Sequence, residues 1–417
     1  MKVNIEIINI GDELLIGQVV NTNASWMGEL MTKAGFSVQK MSSIADEAPA
    51  IQLALDQSVG NCDVVLISGG LGPTKDDITK KVLSEYFHSE MYFDENAYAH
   101  IQQLFASRGF AVTQVNKNQA FLPKKAQVIK NGNGTAYGMW FEEKNTVVIS
   151  MPGVPFEMKA MLENEILPRL TEKYNIEKYA DLTLMTTGLG ESFLAEKIKL
   201  VEENLPSSIH LAYLPRPGIV RLRLSSRGED KRLLQIQLQK ESEKMIHILG
   251  KEVVYGFNEE SIEEALGKIL KERKLSMATA ESCTGGMIAH KITSISGSSA
   301  YFQGSILSYS NEIKNKHLGV SDKDLEDFGA VSKEVVLQMA VGVKKAMNVD
   351  YAVATSGIAG PLGGSKDKPV GYTWIAVSGP KETKAQLFQF GEHRGRNIER
   401  ASLAAINMLR LMVLEDS

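Results

Sequence analysis

The run Asp63–Ser68, DVVLIS, is apolar without interruption and then enters a turn that begins Ser68-Gly69-Gly70. A continuous apolar run of this length is typical of a strand that is covered on both faces within a parallel sheet. Parallel strands need crossover connections, and Val3–Asn9 and Val38–Ser43 are two further strand-like runs separated by a helical segment. The N-terminal part of the chain is therefore predicted to be an α/β domain with a doubly wound sheet.

The glycine-rich turn continues as SGGLGPTKDDIT over residues 68–79. It is not a Walker A loop, because no Gly-Lys-Ser/Thr sequence closes it. Its glycines allow backbone N–H groups to approach an anion, and the helix that follows adds a favourable dipole. Asp76 and Asp77 fit two roles, either as first-turn residues that complement the dipole or as ligands of a divalent metal that bridges to phosphate. The residues alone favour the capping role.

The stretch Ala280–Lys314 has the same organisation near the other end of the chain. A short strand, Met277–Thr279, runs into Glu-Ser-Cys-Thr-Gly-Gly, and a second small-residue turn follows at Gly297-Ser298-Ser299. Ser305–Ser310 is predicted to be a strand that leads towards a lysine at position 314. Serines and glycines of this kind are usually turn residues when they occur singly. Here they gather at strand ends, where α/β folds place their chemistry.

Several motifs in the last third of the chain carry a specific resemblance. The motifs are AESCTGG, GSSAYF, YSNEIK, GAVS, SGIAGP and KPVG. Together they resemble the C-terminal domain of the CinA family, the nicotinamide-nucleotide amidases. The motifs GDELLxG, NTN, SGGLGPTxDDxT and MPGVPFEMK resemble the N-terminal domain of the same family, which is related to molybdopterin-binding domains. Between them, a small α+β segment resembles the family's KH-type domain, although Thr187-Gly188-Leu189-Gly190 does not have the Gly-x-x-Gly spacing of a KH turn.

The resemblance implies three domains. They are a doubly wound molybdopterin-binding-like domain over residues 1–170, a KH-type α+β domain over 180–252 and an α/β amidase domain over 258–417. We expect the middle domain to be a structural spacer rather than an RNA-binding module.

The amidase chemistry implied by the resemblance is a serine–lysine mechanism that needs no cofactor. Amide hydrolysis requires a nucleophile, a base and donors for the oxyanion. Ser299 is expected to be the nucleophile and Lys314 the base, with the oxyanion held by backbone N–H groups of residues 297–300. Ser282, Tyr309 and Ser356 are expected to hydrogen-bond the base or the carboxamide. Glu281 and Thr284 are expected to shape the first loop, and Gly357 and Arg394 to bind the phosphate. The expected substrate is nicotinamide mononucleotide, which would yield nicotinate mononucleotide and ammonia.

One rival for the nucleophile is Cys283, with His290 or His317 as its base. His290 lies about two helical turns from Cys283, too far for a direct hydrogen bond on a regular helix. A buried structural cysteine is the commoner case. The rival is therefore disfavoured.

The N-terminal domain is expected, by resemblance, to hydrolyse ADP-ribose to AMP and ribose 5-phosphate with a divalent metal such as Mg, Mn or Co. The positions that match the family's motifs at the ADP-ribose site are Glu13, Asn23, Asp46, Gly70, Thr74 and Glu157. The metal would be held by Asp76 and Asp77. The chain would then be a two-headed hydrolase of pyridine nucleotides.

Composition limits the other classes of function. The 417-residue chain has a formal net charge of −4, which gives no general reason to bind nucleic acid or an anionic membrane. Its first residues are predicted to form a strand rather than a signal peptide, no apolar run suits a membrane span, and a cytoplasmic protein is expected. The two cysteines form neither a disulfide framework nor a metal cluster. A homodimer is expected by resemblance.

Two alternatives stay open at this point. In the first alternative, only one of the two expected catalytic domains is active. In the second, the chain is a non-catalytic binding protein related to competence or to molybdopterin. The completeness of the matching motifs favours the enzyme.

Overall fold

The structure is a computed structural model that describes residues 2–74, 77–107 and 109–416. The chain divides into two compact units. The first contains residues 1–180 and 227–234, and the second contains residues 181–226 and 235–417. The segments predicted as the middle and C-terminal domains thus fall mainly in one unit.

The strands up to residue 151 are β1 Asn4–Ile10, β2 Ser37–Ile44, β3 Val64–Ser68, β4 Met91–Phe93, β5 Phe121–Pro123, β6 Gln127–Ile129, β7 Gly138–Glu143 and β8 Thr146–Met151. The helices up to residue 173 are α1 Asp12–Leu15, α2 Thr22–Lys33, α3 Ala48–Ser58, α4 Thr79–Tyr86, α5 Glu95–Ser107, α6 Gln114–Asn118, α7 Pro155–Met161 and α8 Leu167–Lys173. A π-helical turn, Leu162–Ile166, joins α7 to α8.

The main sheet of the first unit has the strand order β2-β1-β3-β8-β7-β6. The strands β2, β1, β3 and β8 are parallel, and β7 and β6 are antiparallel additions at one side. The strand β3 is buried throughout, as its apolar run predicts. Leu66 packs with Met27 on one face, while Val65 packs with Leu55 and Leu83 on the other.

The order of the parallel strands creates a crevice at one end of this sheet. The strands β2 and β3 lie on opposite sides of β1, so the chain reverses its direction of travel across the sheet at β1. At such a switch point the loops after the two neighbouring strands separate, and α/β proteins bind ligands there. In this chain the loops that separate are those after β1 and β3.

The remaining strands are β9 Lys178–Thr187, β10 Ile209–Arg216, β11 Ile219–Gly228, β12 Val254–Phe257, β13 Met277–Glu281, β14 Phe302–Leu307, β15 Tyr351–Gly357, β16 Tyr372–Ser378 and β17 Thr383–Gln389. The remaining helices are α9 Glu191–Glu203, α10 Lys231–Val253, α11 Ile262–Glu272, α12 Met287–Thr293, α13 Asn311–Leu318, α14 Asp322–Asp327, α15 Lys333–Met347 and α16 Arg394–Glu415. A 3-10 turn covers Ser298–Ala300, and α10 is interrupted at Gly250 by a positive φ of 74°.

The second unit contains two sheets. The first has the strand order β10-β11-β9-β12 and, with α9, forms the predicted α+β segment. The second has the order β14-β13-β15-β16-β17, in which β14, β13 and β15 are parallel. In this sheet Glu281 at the end of β13 lies opposite Leu307 and Thr355, so the three parallel strands end at the same edge.

Helices cover both faces of this five-stranded sheet. Residues of α11, α12 and α16 pack on one face, and residues of α15 with the end of α13 pack on the other. The strand predicted over Ser305–Ser310 is observed earlier, over Phe302–Leu307, so the predicted nucleophile lies just before the strand instead of well before it. In the described residues, no helix is both long and apolar enough to cross a membrane.

Gly342 in α15 provides a test of this packing. A Cβ atom at this position would come within 3 Å of the carbonyl group and Cα of Leu318, at the end of α13. Replacing glycine by alanine on an open helix face usually stabilises by about 0.5–1 kcal/mol. Here we expect the opposite sign, and Gly342→Ala should lower the free energy of unfolding by about 1–3 kcal/mol because the helices must separate.

Denaturant unfolding followed by circular dichroism measures this change. Lys345→Ala, on an exposed position of the same helix, is the control and should alter stability by less than about 0.5 kcal/mol. An unchanged or raised midpoint for Gly342→Ala would show that the close contact is absent.

Candidate active site

A buried carboxylate shapes the loop after β13. Glu281 is fully buried, and its oxygens accept hydrogen bonds from the backbone N–H groups of Gly286, Ile288 and Ala289 at 3.0, 3.1 and 2.8 Å. Thr284 Oγ1 donates to the same carboxylate at 2.7 Å. The carboxylate thus satisfies N–H groups at the start of α12, where a negative charge is also favoured by the helix dipole. The predicted loop-shaping role of Glu281 and Thr284 agrees with this geometry.

This loop holds Ser282 next to Lys314. The Nζ atom of Lys314 lies 3.2 Å from Ser282 Oγ, and it donates to the carbonyl oxygens of Ser308 at 2.7 Å and Tyr309 at 3.4 Å. All three acceptors are neutral. Lys314 is 1% exposed, and burial lowers the pKa of its ammonium group because the charged form loses its water. A lysine that deprotonates more easily than usual therefore contacts a serine hydroxyl.

A cavity of about 220 Å³ opens beside this pair. Its walls include most of the residues that the sequence assigned to the amidase, namely Ser282, Tyr309, Lys314, Ser356, Gly357 and Arg394. The Tyr309 side chain is largely exposed at the rim. One cavity therefore contains a serine–lysine pair together with an arginine supplied by the start of α16.

Hydrogen bonds to carbonyl groups hold the far wall of the cavity in place. Ser356 Oγ donates to the carbonyl of Ala330 at 2.6 Å, and Arg394 Nη1 donates to the carbonyl of Gly360 at 2.9 Å. Ser356 is therefore engaged with the backbone in this structure. The predicted role for it in binding the base is not seen, since Lys314 Nζ makes its hydrogen bonds elsewhere.

Sequence reasoning did not identify Asn397. Its side-chain amide is buried and donates to the carbonyls of Ala359 at 3.0 Å and Gly391 at 2.7 Å, which joins the SGIAGP turn to the turn before α16. A single asparagine between arginines in a helical sequence gives no signal of this kind. Thr355 was also missed, and its hydroxyl lies 2.8 Å from that of Thr284.

The predicted pairing of Ser299 with Lys314 does not form within this chain. Ser299 lies in the 3-10 turn at the amino end of β14, whereas Lys314 lies beyond its carboxyl end. Because a strand rises about 3.3 Å per residue, β14 separates the two ends by roughly 17 Å. Ser299 is exposed and is not among the residues that line the cavity. The oxyanion donors expected in the same turn are displaced from the cavity for the same reason.

The geometry also disfavours the cysteine rival. Cys283 lines the cavity, but burial raises the pKa of its thiol to about 12, so the nucleophilic thiolate is disfavoured. His290 and His317 are both exposed, and neither is among the residues that line the cavity. No histidine in the described walls can therefore serve as its base.

The first unit has a second candidate site at the switch point of its sheet. Gly69 and Gly70 follow β3 with φ angles of 119° and 64°, which favour glycine. Asn23 Nδ2 donates to the carbonyl of Gly153 at 2.7 Å and lies 3.4 Å from Ser68 Oγ. The predicted Asn23 is thereby placed between the loops that follow β3 and β8.

Gly70 brings two other elements close together. A side chain at this position would collide with Thr79 Oγ1 and would lie 3.2 Å from Asp46 Oδ1. The absence of a side chain therefore allows Asp46 and the start of α4 to approach the turn. Glu157, another predicted residue, accepts a hydrogen bond from Asn131 Nδ2 at 2.7 Å.

The remaining predicted residues of this site have local roles. Asp77 Oδ2 accepts hydrogen bonds from the backbone N–H of Thr74 at 2.9 Å and from its hydroxyl at 2.5 Å, so Asp77 closes the turn. Glu13 is exposed, and its carboxylate folds back against Gly11. Asp77 precedes α4 and does not cap it, because among the described residues the helix has no acidic residue in its first turn and no side-chain hydrogen bond at its N-cap, Ile78. The capping role that the residues alone favoured is therefore not observed for Asp77.

The predicted metal ligands receive limited support. Asp76 lies outside the described residues. Across residues 2–74, 77–107 and 109–416, no group of three or more histidine, cysteine, aspartate or glutamate side chains is arranged to hold a metal ion. Since one oxygen of Asp77 is already engaged with Thr74, the described residues do not build a metal site by themselves.

Comparisons with known proteins match three segments of the chain to three family models. Residues 6–172 match the family model described as "Probable molybdopterin binding domain". Residues 182–256 match "Damage-inducible protein CinA KH domain", and residues 259–413 match "CinA C-terminal domain". A "CinA-like protein" of Flavobacterium psychrophilum is 46% identical over 412 residues, which cover 98% of each chain.

The chain belongs to the CinA family. Other CinA-like proteins are similar over nearly their whole length. That of Cytophaga hutchinsonii is 40% identical over 98% of each chain, and that of Chloroherpeton thalassium is 41% identical over 97% of this chain and 98% of the relative. The predicted family and its α/β architecture, with molybdopterin-binding-like, KH-type and CinA C-terminal parts, are confirmed.

The two candidate sites fall in different parts of the CinA architecture. The cavity with Ser282 and Lys314 lies within the match to the CinA C-terminal domain. The switch-point crevice lies within the match to the molybdopterin-binding domain. Each candidate site is therefore formed by residues of a single domain.

Proposed function

We propose that the C-terminal domain of this CinA protein is an amidase that converts nicotinamide mononucleotide to nicotinate mononucleotide and ammonia. The observation that carries the proposal is the 3.2 Å contact between buried Lys314 and Ser282 in a cavity that also contains Arg394. A serine–lysine pair supplies the nucleophile and base that amide hydrolysis needs. An arginine on the same cavity supplies a partner for phosphate.

The proposed reaction uses the residues in the positions that they occupy. The neutral amine of Lys314 takes the proton of the Ser282 hydroxyl as the serine oxygen attacks the carboxamide carbon. The tetrahedral intermediate collapses when Lys314 returns a proton to the leaving nitrogen, which departs as ammonia. Water then hydrolyses the ester on Ser282 with Lys314 again as the base, and the product leaves as a carboxylate.

Burial of Lys314 also argues against a purely structural role. A buried ammonium group is costly when no carboxylate pairs with it, and the three acceptors of Lys314 are neutral. A binding or scaffold protein would gain nothing from this arrangement. An amidase gains a base that is neutral at a lower pH than a free lysine.

The nucleophile is tested by two alanine variants. Ser282→Ala should reduce ammonia release from nicotinamide mononucleotide by at least about 10³-fold, because it removes the attacking oxygen. Ser299→Ala should leave the rate nearly unchanged, since its hydroxyl lies at the opposite edge of the sheet. Cys283→Ala serves as a further control and should retain the serine-dependent reaction.

A coupled assay for ammonia measures these rates. Loss of activity in Ser299→Ala with retention in Ser282→Ala would contradict the present assignment. The sequence-derived assignment of Ser299 would then be correct, and the serine would have to reach Lys314 by a route that this structure does not contain.

The pH dependence tests the base. Only the neutral amine of Lys314 can accept a proton, and the neutral fraction grows as pH rises. We therefore expect kcat/KM to rise with pH and to level off above the pKa of Lys314 in the folded protein. That pKa lies below the usual lysine value of 10.5 because the side chain is buried.

Ammonia release measured from neutral to alkaline pH gives this profile. Lys314→Arg keeps the positive charge but cannot deprotonate, so it should show no ascending limb and almost no activity. A profile that falls with rising pH over this range would exclude neutral Lys314 as the base.

Arg394 is expected to bind the phosphate of the substrate. The carboxamide is small and neutral, whereas a guanidinium can form two charge-assisted hydrogen bonds with phosphate. Remote binding of this kind orients the reacting group, so its loss can lower kcat as well as raise KM. Arg394→Ala should reduce kcat/KM for the mononucleotide by roughly one to three decades, about 1.4–4 kcal/mol, and Arg394→Lys should restore only part of it.

Nicotinamide riboside, which lacks the phosphate, is the matched substrate. It should be a poor substrate for the parent protein and should lose little more in Arg394→Ala. If both substrates lose the same factor, Arg394 acts through its hydrogen bond to the carbonyl of Gly360, and Arg396 becomes the next candidate for the phosphate.

A second function, hydrolysis of ADP-ribose at the switch point, is favoured by a separate observation. The side-chain oxygens Oδ1 of Asn9, Oδ1 of Asn23 and Oγ1 of Thr79 are buried without a hydrogen-bond partner among the described residues. Buried polar atoms normally have partners, so these atoms are available to a polar ligand. ADP-ribose carries hydroxyl and phosphate groups that suit them.

A chelator tests whether this second reaction needs a metal. Mg²⁺ is often bound by one or two carboxylates together with the phosphates of the substrate, so a metal site can form only when the substrate is present. EDTA should stop AMP release from ADP-ribose and spare ammonia release from nicotinamide mononucleotide. Equal sensitivity of the two reactions would exclude this division, and no AMP release at all would leave the C-terminal head as the only active one.

A further inference from the structure

A lysine in the first turn of α4 has only neutral hydrogen-bond partners among the described residues. Lys80 is half-buried, and its Nζ atom donates to the carbonyls of Asn118 and Gln119, both at 3.3 Å. Among the described residues, no carboxylate forms an ion pair with it. Within the described part of the chain, its ammonium group is therefore hydrogen-bonded to backbone carbonyl dipoles.

Two side chains next to Lys80 have unused hydrogen-bonding atoms. Gln119 is 5% exposed, and neither Nε2 nor Oε1 of its amide has a partner among the described residues. Thr79 is 0% exposed, and its Oγ1 likewise has none. Leaving such buried atoms unpaired costs free energy of folding. The cost falls on one small region, at and beside the start of α4.

The position of α4 connects this region to the switch-point crevice. The N–H of Thr79 donates to the carbonyl of Gly70 at 3.1 Å, so the helix begins against the glycine turn that follows β3. The N-cap residue, Ile78, has no side chain that can cap the helix. Uncapped N–H groups and the positive end of the helix dipole therefore lie beside the unpaired atoms of Thr79 and Gln119.

We propose that Lys80, together with Thr79 and Gln119, forms a phosphate-binding subsite of the N-terminal unit. The ammonium group, the hydroxyl and the amide N–H supply the donors, and the start of α4 supplies the favourable dipole. The ligand class, a nucleotide with a phosphate or pyrophosphate group, rests on the second proposed function. The subsite itself rests on the unpaired polar atoms of Thr79 and Gln119 and on the position of the Lys80 ammonium group beside Gln119.

The charge state of Lys80 is compatible with this role. Burial lowers the pKa of its ammonium group to about 8. At pH 7 an amine with that pKa is still roughly nine-tenths protonated. A phosphate bound beside it would favour the protonated form further.

A purely structural role for Lys80 is the main alternative. In that role the lysine would only hold the carbonyls of Asn118 and Gln119 at the end of α6. This explains its two hydrogen bonds but leaves the amide of Gln119 and the hydroxyl of Thr79 unexplained. The two roles predict opposite effects of the same substitution.

The test compares Lys80→Met with Lys81→Met in the full-length chain. Lys81 is the next residue of α4, its side chain is 79% exposed, and it lies 3.9 Å from Glu85. Isothermal titration calorimetry measures the binding of ADP-ribose, AMP and inorganic pyrophosphate, with adenosine as the ligand without phosphate. Thermal unfolding and ammonia release from nicotinamide mononucleotide are recorded for both variants.

We expect Lys80→Met to weaken binding of the phosphate-containing ligands by ten- to a hundred-fold, or about 1.4–2.7 kcal/mol, and Lys81→Met to change it less than about threefold. Methionine fills a similar volume without a charge, so the Tm of Lys80→Met should be retained or raised. Ammonia release should be unchanged in both variants. Gln119→Leu should weaken the same ligands without affecting adenosine.

Other outcomes overturn the proposal. Unchanged affinity in Lys80→Met excludes the subsite, and so does a lowered Tm with equal loss of adenosine and AMP, which identifies a structural lysine. A parent protein that binds none of the phosphate ligands excludes it as well. If ADP-ribose binds in a Lys80-dependent manner but no AMP is released, the hydrolytic function fails and the phosphate subsite stands.

Discussion

The geometry of the C-terminal site depends on one buried carboxylate. Glu281 ends the central strand of the parallel group, and four of the hydrogen bonds to its carboxylate fold the next residues into a turn and start α12. Three of the donors are backbone N–H groups, so the loop cannot move without leaving a buried charge unpaired. A loss of that kind costs several kcal/mol. Ser282, the next residue, is therefore held in place before any substrate is bound, as effective catalysis requires.

Each unit places a lysine whose hydrogen-bond partners among the described residues are all neutral near the carboxyl edge of a parallel sheet. Lys314 is surrounded by a serine hydroxyl and two carbonyls, and Lys80 by two carbonyls. Desolvation lowers the pKa of both, but the consequences differ with the neighbours. A hydroxyl beside a lysine that can become neutral suits proton transfer, whereas unpaired donors beside a lysine that stays charged suit an anion. The same physical device thus supports two different kinds of chemistry.

Much of the fold could be predicted because it depends on local patterns. The uninterrupted apolar run of β3 and the glycine turn after it required a covered parallel strand, and both are observed. The pairing of Ser299 with Lys314 could not be derived in the same way. A motif shows which residues are present, but not on which edge of the sheet they lie. Ser299 precedes β14 and Lys314 follows it, so the strand separates them, whereas Ser282 follows the parallel strand β13 at the same edge as Lys314.

Other parts of the sites depend on tertiary contacts that no local pattern encodes. Asn397 and Gln119 are ordinary polar residues in sequence. Only the structure shows that both are buried, that Asn397 Nδ2 donates two hydrogen bonds, and that the amide of Gln119 has no partner among the described residues. Asp77 illustrates the reverse. The adjacent acid Asp76 suggested that Asp77 is a metal ligand. In the structure, the Asp77 carboxylate instead accepts two hydrogen bonds from Thr74 and closes the turn.

The wall opposite Lys314 explains how a small substrate could be held at two ends. An arginine has five N–H donors, and Arg394 uses one of them on the carbonyl of Gly360, which fixes the guanidinium and leaves donors for a ligand. Asn397 joins the neighbouring carbonyls of Ala359 and Gly391, so the turn after β15 and the start of α16 form one frame. A phosphate bound to that frame would pay little further entropy for ordering the arginine. Because β15 is paired directly with β13, which ends one residue before Ser282, the frame would also set the distance between a bound phosphate and the carbon that Ser282 is proposed to attack. Binding at the remote end would thereby align the reacting end.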